Sequence, residues 1–421
     1  MRLRIFLVLL GSGLLAVLFA APLAAQLGLP QVSVPQTGTV LDPVTGQVLD
    51  QVQGIDEQAM RQAQRLEGLR LERIERLVRR NREIMEMDVD GAPARRGELL
   101  VMDASEDELA RAAGAGYEAL GHEVITGLDI TIIRMGVPKG RALARAQVEL
   151  ARLMPGASVS ADNLHFASQS VGVQPSNNST SRMASKDPST SLTTPIGVID
   201  GAPGEAFKVR ATRGFAIGAP HPSDHGSAVV SLLEYAGAEN IRVADVYGTD
   251  KAGGNALAIA RGLGWLVEGG SKVVNISLVG PANALIERAI ASARKKGVVI
   301  VAAVGNDGPA APPAYPASYD GVVAVTGVDK RNRALIEAGR ALDLDYAAPG
   351  AEIYGRNAGN RRAKLRGTSF AGPLVASRVA AALLEGRDWR AALDAEARDL
   401  GAKGIDPVYG RGLVCGACRP R

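Results

Sequence analysis

The chain has 421 residues, which is too long for one ordinary domain and suits two or three. Hydrophobic residues make up 46% of the chain, enough to build a real core, and this excludes global disorder. The net charge of +4 is too small to indicate nucleic acid as a partner. The only two cysteines, Cys415 and Cys418, are too few for a fold held together by disulfides.

Residues 1–25 have the pattern of a targeting segment. Arg2 and Arg4 precede an almost wholly apolar run over residues 5–21, and small residues follow up to Ala25. The pattern predicts a secretory signal peptide cleaved near Ala25, and therefore an exported protein that is periplasmic or secreted. The alternative is an N-terminal membrane anchor, because an uncleaved apolar run of this length can span a bilayer.

Two segments follow the targeting segment. Residues 26–55 show no clear period, which predicts an extended leader. Residues 56–96 form an Arg-rich helical segment with a helix from Asp56 to Met87, in which apolar side chains recur at helical spacing. The basic cluster at residues 79–82 is interpreted as a solvated helix face or as a contact with an anionic surface.

Residues 97–166 predict a compact unit with the element order β-α-β-β-α-β. The predicted strands are Glu98–Met102, His122–Ile125, Asp129–Ile133 and Ala157–Ser160, and the predicted helices are Glu106–Tyr117 and Lys139–Met154. This order is the plan of a small ferredoxin-like α+β domain. The stretch 167–194, rich in Ser, Thr and Asn, has the composition of a linker.

From residue 195 to residue 414, apolar strands alternate with helices. The predicted strands are Ile196–Ile199, Val243–Tyr247, Val273–Leu278, Val298–Val304 and Val322–Val325, and the predicted helices are Gly226–Tyr235, Leu257–Gly269, Ala282–Lys296 and Phe370–Glu385. This alternation indicates a buried, mostly parallel sheet with helices on both faces, which is a doubly wound α/β fold. In such a sheet, ligands bind beyond the carboxyl ends of the strands.

Ser369 is the candidate nucleophile. It lies in the segment Gly367–Pro373, directly before a predicted helix. Its own N–H and the positive end of the helix dipole can therefore stabilise a developing oxyanion. Pro373 suits the first turn of that helix, where no backbone donor is needed. Taken alone, the motif can also be an ordinary helix-capping serine.

His225 is the candidate base, because a serine hydroxyl is a weak nucleophile without one. It stands at the start of a predicted helix. Asp200 ends a predicted buried strand and can orient this base, although an Asp in that place is more often a turn residue. A zinc pair formed by His221 and His225 is the alternative, which Pro222 and Gly226 disfavour because they prevent one shared helix face.

Asn306 lies at the end of another predicted buried strand. Its amide can donate a hydrogen bond to an oxyanion, or it can be a turn residue before Asp-Gly. The segments around Asp200, His225, Asn306 and Ser369, in this chain order, resemble the subtilisin family of serine proteases. The resemblance covers about residues 195–414, and the unit at 97–166 resembles the propeptide of that family.

The resemblance implies a serine endopeptidase that hydrolyses protein or peptide substrates through an acyl-enzyme. It implies Asp200, His225 and Ser369 as the catalytic triad and Asn306 as the oxyanion donor. It also implies a zymogen that cuts itself between Phe166 and Thr194, with its own propeptide as an intramolecular inhibitor. No cofactor is required, no metal ligands are implied, and bound calcium is in doubt because the interval from Asp200 to His225 is short.

The resemblance further implies the walls of a substrate cleft. Three residues would form one wall and pair with the substrate backbone: Ser277, Leu278 and Gly280. In this segment Val279 looks like an extra residue. Three alanines would line the pocket for the side chain before the cut: Ala302, Ala303 and Ala314. Such a pocket suggests apolar side chains of modest size.

The sequence departs from the family at two positions beside the triad. Gly201 stands where the family usually has Ser or Thr, and Ser227 stands where it usually has Thr. These departures are the only support for one alternative, a protease-like fold that only binds peptides or inhibits, and the intact triad and Asn306 speak against it. A nucleotide-binding α/β protein is disfavoured, because no GxxxxGK[ST] motif occurs. In the tail 415–421, the CxxC spacing predicts a local disulfide rather than a redox or metal site.

Overall fold

The computed structural model describes residues 43–167, 174–175 and 191–420, with side chains for 60–167 and 191–420. The predicted signal peptide and most of the predicted linker lie outside the described residues. The helices are α1 Pro43–Arg80, α2 Glu106–Gly114, α3 Leu143–Leu153, α4 Asp224–Tyr235, α5 Ala256–Glu268, α6 Ala284–Lys295, α7 Gly372–Leu384 and α8 Trp389–Glu396. Among the helices of these described ranges, none is long and apolar enough to cross a membrane.

The strands form two main sheets and two small ones. The strands of the first half are β1 Met85–Met87, β2 Pro93–Met102, β3 Glu118–Ile125, β4 Ile130–Gly136, β5 Ser158–Asn163, β6 Phe166–Ala167 and β7 Gln174–Pro175. Those of the second half are β8 Ile196–Asp200, β9 Ala211–Gly214, β10 Ile241–Asp245, β11 Val273–Ile276, β12 Leu278–Val279, β13 Val299–Ala303, β14 Val323–Val328, β15 Tyr346–Pro349, β16 Ala351–Arg356 and β17 Arg362–Arg366.

The N-terminal unit has the predicted β-α-β-β-α-β order. Its central strand β2 pairs antiparallel with β4 on one side and with β5 on the other, and β3 pairs with β4. Helices α2 and α3 complete a small core with Leu99, Val101, Tyr117 and Leu150. Tyr117 lies just after α2, contrary to the prediction that it belongs to the helix, and its hydroxyl donates to the carbonyl of Ala146 at 3.0 Å.

Two boundaries before this unit were predicted wrongly. The leader 26–55 is not extended throughout, since α1 already begins at Pro43. Pro is well suited to a first helical turn, and the helical spacing of the apolar residues at 44, 48, 52 and 55 was the missed signal. The helix also ends at Arg80 and not at Met87, because β1 pairs with β2 around a turn in which Asp88 Oδ1 accepts the N–H groups of residues 90 and 92.

The larger unit confirms the predicted α/β class. Its seven-stranded sheet has the order β15-β14-β13-β11-β8-β10-β9, and every neighbouring pair is parallel. One core cluster packs α5 and α6 against one face, and a second packs α4 and α7 against the other. The interior strand β8 lies between β11 and β10 and is buried along its whole length, so its carboxyl end at Asp200 is held rigidly.

The C-terminal residues belong to this unit and do not form the separate tail that was predicted for 415–421. Cys415 and Cys418 are joined in a disulfide, and both pack into the core cluster on the α7 face. Farther on, Arg419 donates to the carbonyl of Ala351 at 3.4 Å. The strands β9, β15, β16 and β17 and helix α8 were not predicted, because their apolar runs are short and interrupted by charged residues.

The end of β5 joins the two units through hydrogen bonds to the start of α5 and to the N-cap residue of α6. Asp162 Oδ1 accepts the N–H of Leu257 at 2.9 Å, at the start of α5. Asn283, the N-cap of α6, donates from Nδ2 to the carbonyl of Ala161 and to Asn163 Oδ1, both at 2.9 Å. Helix N-termini carry unpaired N–H groups and a positive dipole end, so these contacts fix the direction in which the chain leaves β5.

Candidate active site

Asp200 and His225 lie together at the carboxyl end of β8. Asp200 is 1% exposed, and its Oδ1 accepts the N–H of Gly201 at 2.7 Å. The same carboxylate lies 2.8 and 3.0 Å from His225 Nδ1, so this nitrogen carries the proton in neutral imidazole. The second ring nitrogen, Nε2, therefore points away from Asp200. It is buried and has no hydrogen-bond partner among the described residues.

Helix α4 places His225 in its first turn, and both departures from the family pattern lie beside its N-cap. Ser223 Oγ accepts the N–H of Gly226 at 2.9 Å. A Cβ on Gly201 would overlap this hydroxyl and lie 2.8 Å from Ser223 Cβ. Ser227 Oγ donates to the Ser223 carbonyl and accepts the N–H of Gly204 at 3.0 Å. Both unusual residues therefore belong to one local arrangement that holds the start of α4.

Ser369 lies in a short 3-10 turn, Thr368–Phe370, directly before α7. Its hydroxyl lies 3.4 Å from the carbonyl of Ser277, and Ser277 Oγ donates back to the Ser369 carbonyl at 3.0 Å. Asn275 Nδ2 in turn donates to Ser277 Oγ at 2.8 Å. The ring of Phe370 lies 5.4 Å from that of His225, so Ser369 and His225 are brought to the same place. Catalytic hydrogen bonds are often long in a resting enzyme, so the lack of a partner at Nε2 does not exclude this pair.

Asn306 lies close to Ser369, because the Asn306 side chain is hydrogen-bonded to Thr368, the residue before Ser369. Its Oδ1 accepts the N–H of Thr368 at 3.0 Å. Thr368 Oγ1 also donates to the carbonyl of Gly305 at 3.1 Å, so two hydrogen bonds join Thr368 to the segment of Gly305 and Asn306. With Oδ1 used in this way, the other polar atom of the Asn306 side chain is Nδ2, which is a donor.

The segment predicted to form one wall of the cleft pairs with another segment of the chain itself. Strand β12 pairs antiparallel with β6, so that Leu278 lies opposite Ala167 and Val279 opposite Phe166. Val279 is one of the two residues of β12 that pair with this segment. Gly280 instead donates its N–H to the carbonyl of Tyr315 at 2.9 Å. The pairing of Ser277, Leu278 and Gly280 with a substrate backbone stays a prediction.

The other wall was missed by sequence reasoning. The N–H of His165 donates to the carbonyl of Gly254 at 2.8 Å. Tyr247, just after β10, donates its hydroxyl to the His165 carbonyl at 3.1 Å. Burial raises the pKa of Tyr247 well above its usual value, with Asp200 as the next contributor, so the hydroxyl remains a donor. The Gly-Gly pair after a predicted strand was a signal of close backbone approach.

The side chain of His165 fills a space that glycine leaves open. It has no exposed surface, and a Cβ on Gly280 would lie 2.6 Å from its Cγ. Burial lowers the pKa of His165 to about 4, so the ring is neutral at physiological pH. Its Nδ1 lies 3.3 Å from the carbonyl of Asn163, while its Nε2 has no hydrogen-bond partner in the part of the chain that is described.

The remaining predicted residues lie in the walls and floor of the same region. Ser277 is fully buried, and its side chain serves the Asn275–Ser369 contacts described above. Ala302 and Ala303 end β13 and have no exposed surface. Ala314 is partly buried, and its N–H donates to the carbonyl of Arg340 at 2.8 Å. The pocket that these three alanines would line stays a prediction.

Within the described ranges, no group of three or more His, Cys, Asp or Glu side chains is arranged to hold a metal ion. The backbone N–H of His221 donates to Asp245 Oδ2 at 2.7 Å. His225 directs its Nδ1 at Asp200, an arrangement typical of an oriented base.

Comparisons with known proteins agree with this geometry. A model of the subtilase family matches residues 219–412. The chain is 33% identical to Subtilisin BL of Lederbergia lenta over 227 residues, which are 49% of this chain and 82% of that protein. It is 32% identical to an alkaline protease of Shouchella clausii over 227 residues, which are 49% of this chain and 58% of that protein. Fervidolysin from Fervidobacterium pennivorans, a keratinolytic enzyme related to subtilisin, superposes with a TM-score of 0.64 at 19% identity, covering 80% of this chain and 62% of that chain, and supports the fold alone.

Proposed function

Because the chain belongs to the subtilase family and is a serine-type peptidase, we propose that it is an exported endopeptidase with Asp200, His225 and Ser369 as its catalytic triad. The observation that carries the proposal is the contact of 2.8 Å between Asp200 Oδ2 and His225 Nδ1 beside the buried Ser369. An imidazole oriented in this way presents Nε2 as the base, which a serine nucleophile needs.

The proposed reaction proceeds through an acyl-enzyme. Ser369 Oγ attacks the carbonyl carbon of the scissile bond while His225 Nε2 takes its proton. Asp200 holds the tautomer and stabilises the imidazolium that forms. His225 then returns the proton to the leaving amine, the C–N bond breaks, and the acyl group remains on Ser369. A water molecule, deprotonated by His225, hydrolyses this ester and releases the acid.

Asn306 is the proposed oxyanion donor together with the N–H of Ser369. The support is the bond from Thr368 N–H to Asn306 Oδ1 at 3.0 Å, because it fixes the orientation of the amide close to the nucleophile. A preorganised donor of this kind costs no reorganisation when charge develops in the transition state. No cofactor takes part in the proposed reaction, and calcium is not needed for any step.

The unit at 97–166 is proposed to be a propeptide that inhibits the enzyme within the same chain. The support is β6, which leaves this unit and lies between β12 and Gly254 as a substrate backbone would. Val279 pairs with Phe166 and Leu278 with Ala167, and Ser277 is the next residue of this strand segment toward the nucleophile. The Ser277 carbonyl lies 3.4 Å from Ser369 Oγ. We therefore place the self-cleavage at the bond after Ser168.

Export is proposed from the N-terminal sequence, in which a basic start precedes an apolar run and small residues. The same reasoning gives a periplasmic or secreted enzyme, with a membrane anchor only if residues 1–25 are retained. Protein or peptide is the proposed substrate, and the propeptide is the proposed intramolecular partner.

The proposal is tested by labelling with a serine-directed fluorophosphonate. The full chain is expressed beside Ser369→Ala, His225→Ala and Asp200→Asn, and hydrolysis of a generic peptide is measured on each. The proposal expects a label on Ser369 in the wild type and a loss of about 10⁶ in turnover for Ser369→Ala, a magnitude established on subtilisin itself. If the wild type neither reacts nor hydrolyses, the chain is a peptide-binding module and the proposal fails.

A further inference from the structure

Helix α1 runs along the outside of the cleft. At one end, Leu66 packs so closely on Gly308 that a Cβ there would lie 3.0 Å from Leu66 Cβ. At the other end, Leu77 and Val78 pack in a small apolar cluster with Phe166 of the cleft-bound segment. Eleven residues separate Leu66 from Leu77, which is about 16 Å along a helix. The helix therefore reaches from the loop after Asn306 to the segment paired with β12.

The side of α1 that faces the enzyme is buried or half-buried at helical spacing. The residues on this inward face are Met60, Ala63, Leu66, Glu67, Arg70, Ile74, Leu77 and Val78. Ala63 is the most buried of them, at 5% exposure. Its neighbour Gln64 is exposed, as are Leu69 and Leu71 on the other faces. This period is typical of a helix docked on a surface through one stripe.

A charge pair fixes the helix beside the candidate oxyanion donor. Arg73 Nη2 lies 2.7 Å from Asp307 Oδ1, and Asp307 directly follows Asn306. The Arg70 guanidinium is hydrogen-bonded to Glu67, which is the main cause of its raised pKa, and Asp307 adds to this effect. By contrast, Arg76 pairs with Glu72 on the helix itself. Of these basic residues, Arg73 is therefore the one whose ion pair reaches the loop of the site.

We propose that residues 60–80 of α1 are a second inhibitory element, which covers the cleft-bound segment and holds the N-terminal fragment on the peptidase after self-cleavage. The inference rests on the proposed function, because it takes the region between β12 and Gly254 as the substrate cleft. An incoming peptide needs the space now taken by Phe166, and Leu77 and Val78 of the helix pack in the same small apolar cluster as Phe166. The helix must therefore leave before an external substrate can bind.

The experiment separates the self-cleavage from the appearance of activity. The full chain is refolded by dilution from urea, the cut is followed by mass, and hydrolysis of a chromogenic peptide is followed from time zero. The quantity compared is the interval between the two events, together with the final specific activity. Two matched pairs of variants are used: Ala63→Arg with Gln64→Arg, and Arg73→Glu with Arg76→Glu.

The proposal expects Arg73→Glu to shorten the interval roughly three- to tenfold, since repulsion replaces an attraction of the size measured for exposed ion pairs. Ala63→Arg should shorten it by more than tenfold, because a charged side chain cannot remain in that buried position. Both controls should keep the wild-type interval, and the final activity should be equal in all variants. Equal intervals for Arg73→Glu and Arg76→Glu overturn the proposal, even where Ala63→Arg fails to fold. A wild type that never cleaves peptide contradicts the proposed function instead.

Discussion

The side chain of Ser223 fills the space that a side chain at position 201 would need, because a Cβ on Gly201 would overlap the Ser223 hydroxyl. Gly201 follows Asp200 of the proposed triad, and Ser223 caps the helix that carries His225. The position of Ser223 thus explains why glycine stands at 201, where the family usually has Ser or Thr. The pair couples the end of β8 to the start of α4.

We predict that Gly201→Ser lowers the free energy of unfolding by about 1–2 kcal/mol, because the N-cap of α4 must give way. Turnover should fall as well, since His225 is the second residue after this cap. Urea unfolding in the Ser369→Ala background and peptide hydrolysis in the active chain measure the two effects. Gly121→Ser is the control, because nothing lies within 4 Å of a Cβ there. Equal effects of the two substitutions would contradict the explanation.

Asn306→Ala should lower kcat about 10²–10³-fold with little change in KM, a range established on subtilisin itself. Asn306→Asp is the sharper variant, because its carboxylate still accepts the Thr368 N–H but has no donor. It should lose at least as much turnover while the fold is retained. Full turnover by Asn306→Asp would show that Nδ2 does not bind the oxyanion.

Much of the site could be predicted from the sequence, because short local patterns indicate where its residues lie relative to the strands and helices. Asp200 and Asn306 end buried apolar strands, and the carboxyl ends of parallel strands meet at one edge of the sheet. Tyr247 and Gly254 were missed, since their role depends on which distant segment lies in the cleft. The pairing of Val279 with Phe166 was missed for the same reason, as it joins residues more than one hundred positions apart.

Tyr247→Phe should raise KM for peptides roughly two- to tenfold and leave kcat unchanged. The reason is the loss of one neutral hydrogen bond of about 0.5–1.5 kcal/mol to the backbone of the bound segment. Tyr409→Phe serves as the control. The hydroxyl of Tyr409 also forms one hydrogen bond to the backbone, accepting the N–H of Ala334, which is not part of the bound segment. A fall in kcat with constant KM would argue against a positioning role for Tyr247.

Asp162 predicts a pH dependence of the contact between the two units. Burial raises its pKa from 3.8 to about 7, with Glu98 as the next contributor. A raised pKa means that its contribution to stability is fully present below pH 3.8 and is lost as the pH rises through 7. The free energy of unfolding of the Ser369→Ala chain should therefore fall between pH 4 and 7. We expect Asp162→Asn to make this fall smaller by roughly 2–4 kcal/mol.

Urea unfolding at pH 5 and pH 8 measures this effect. The comparison variant is Asp107→Asn, an exposed change in the first turn of α2. The Asp162→Asn chain should gain stability over its parent at pH 8 more than at pH 5. The same difference for both variants at both pH values would rule out Asp162 as the source of the slope.

We propose that Ser369 cuts its own chain directly after the segment that pairs with β12. The mass of the full chain, followed over time beside that of Ser369→Ala, tests this step. The wild type should release a fragment ending at Ser168, while Ser369→Ala should stay whole. If both chains stay whole, or if both are cut at the same bond, Ser369 is not the nucleophile of this cleavage and the proposed self-cleavage is wrong.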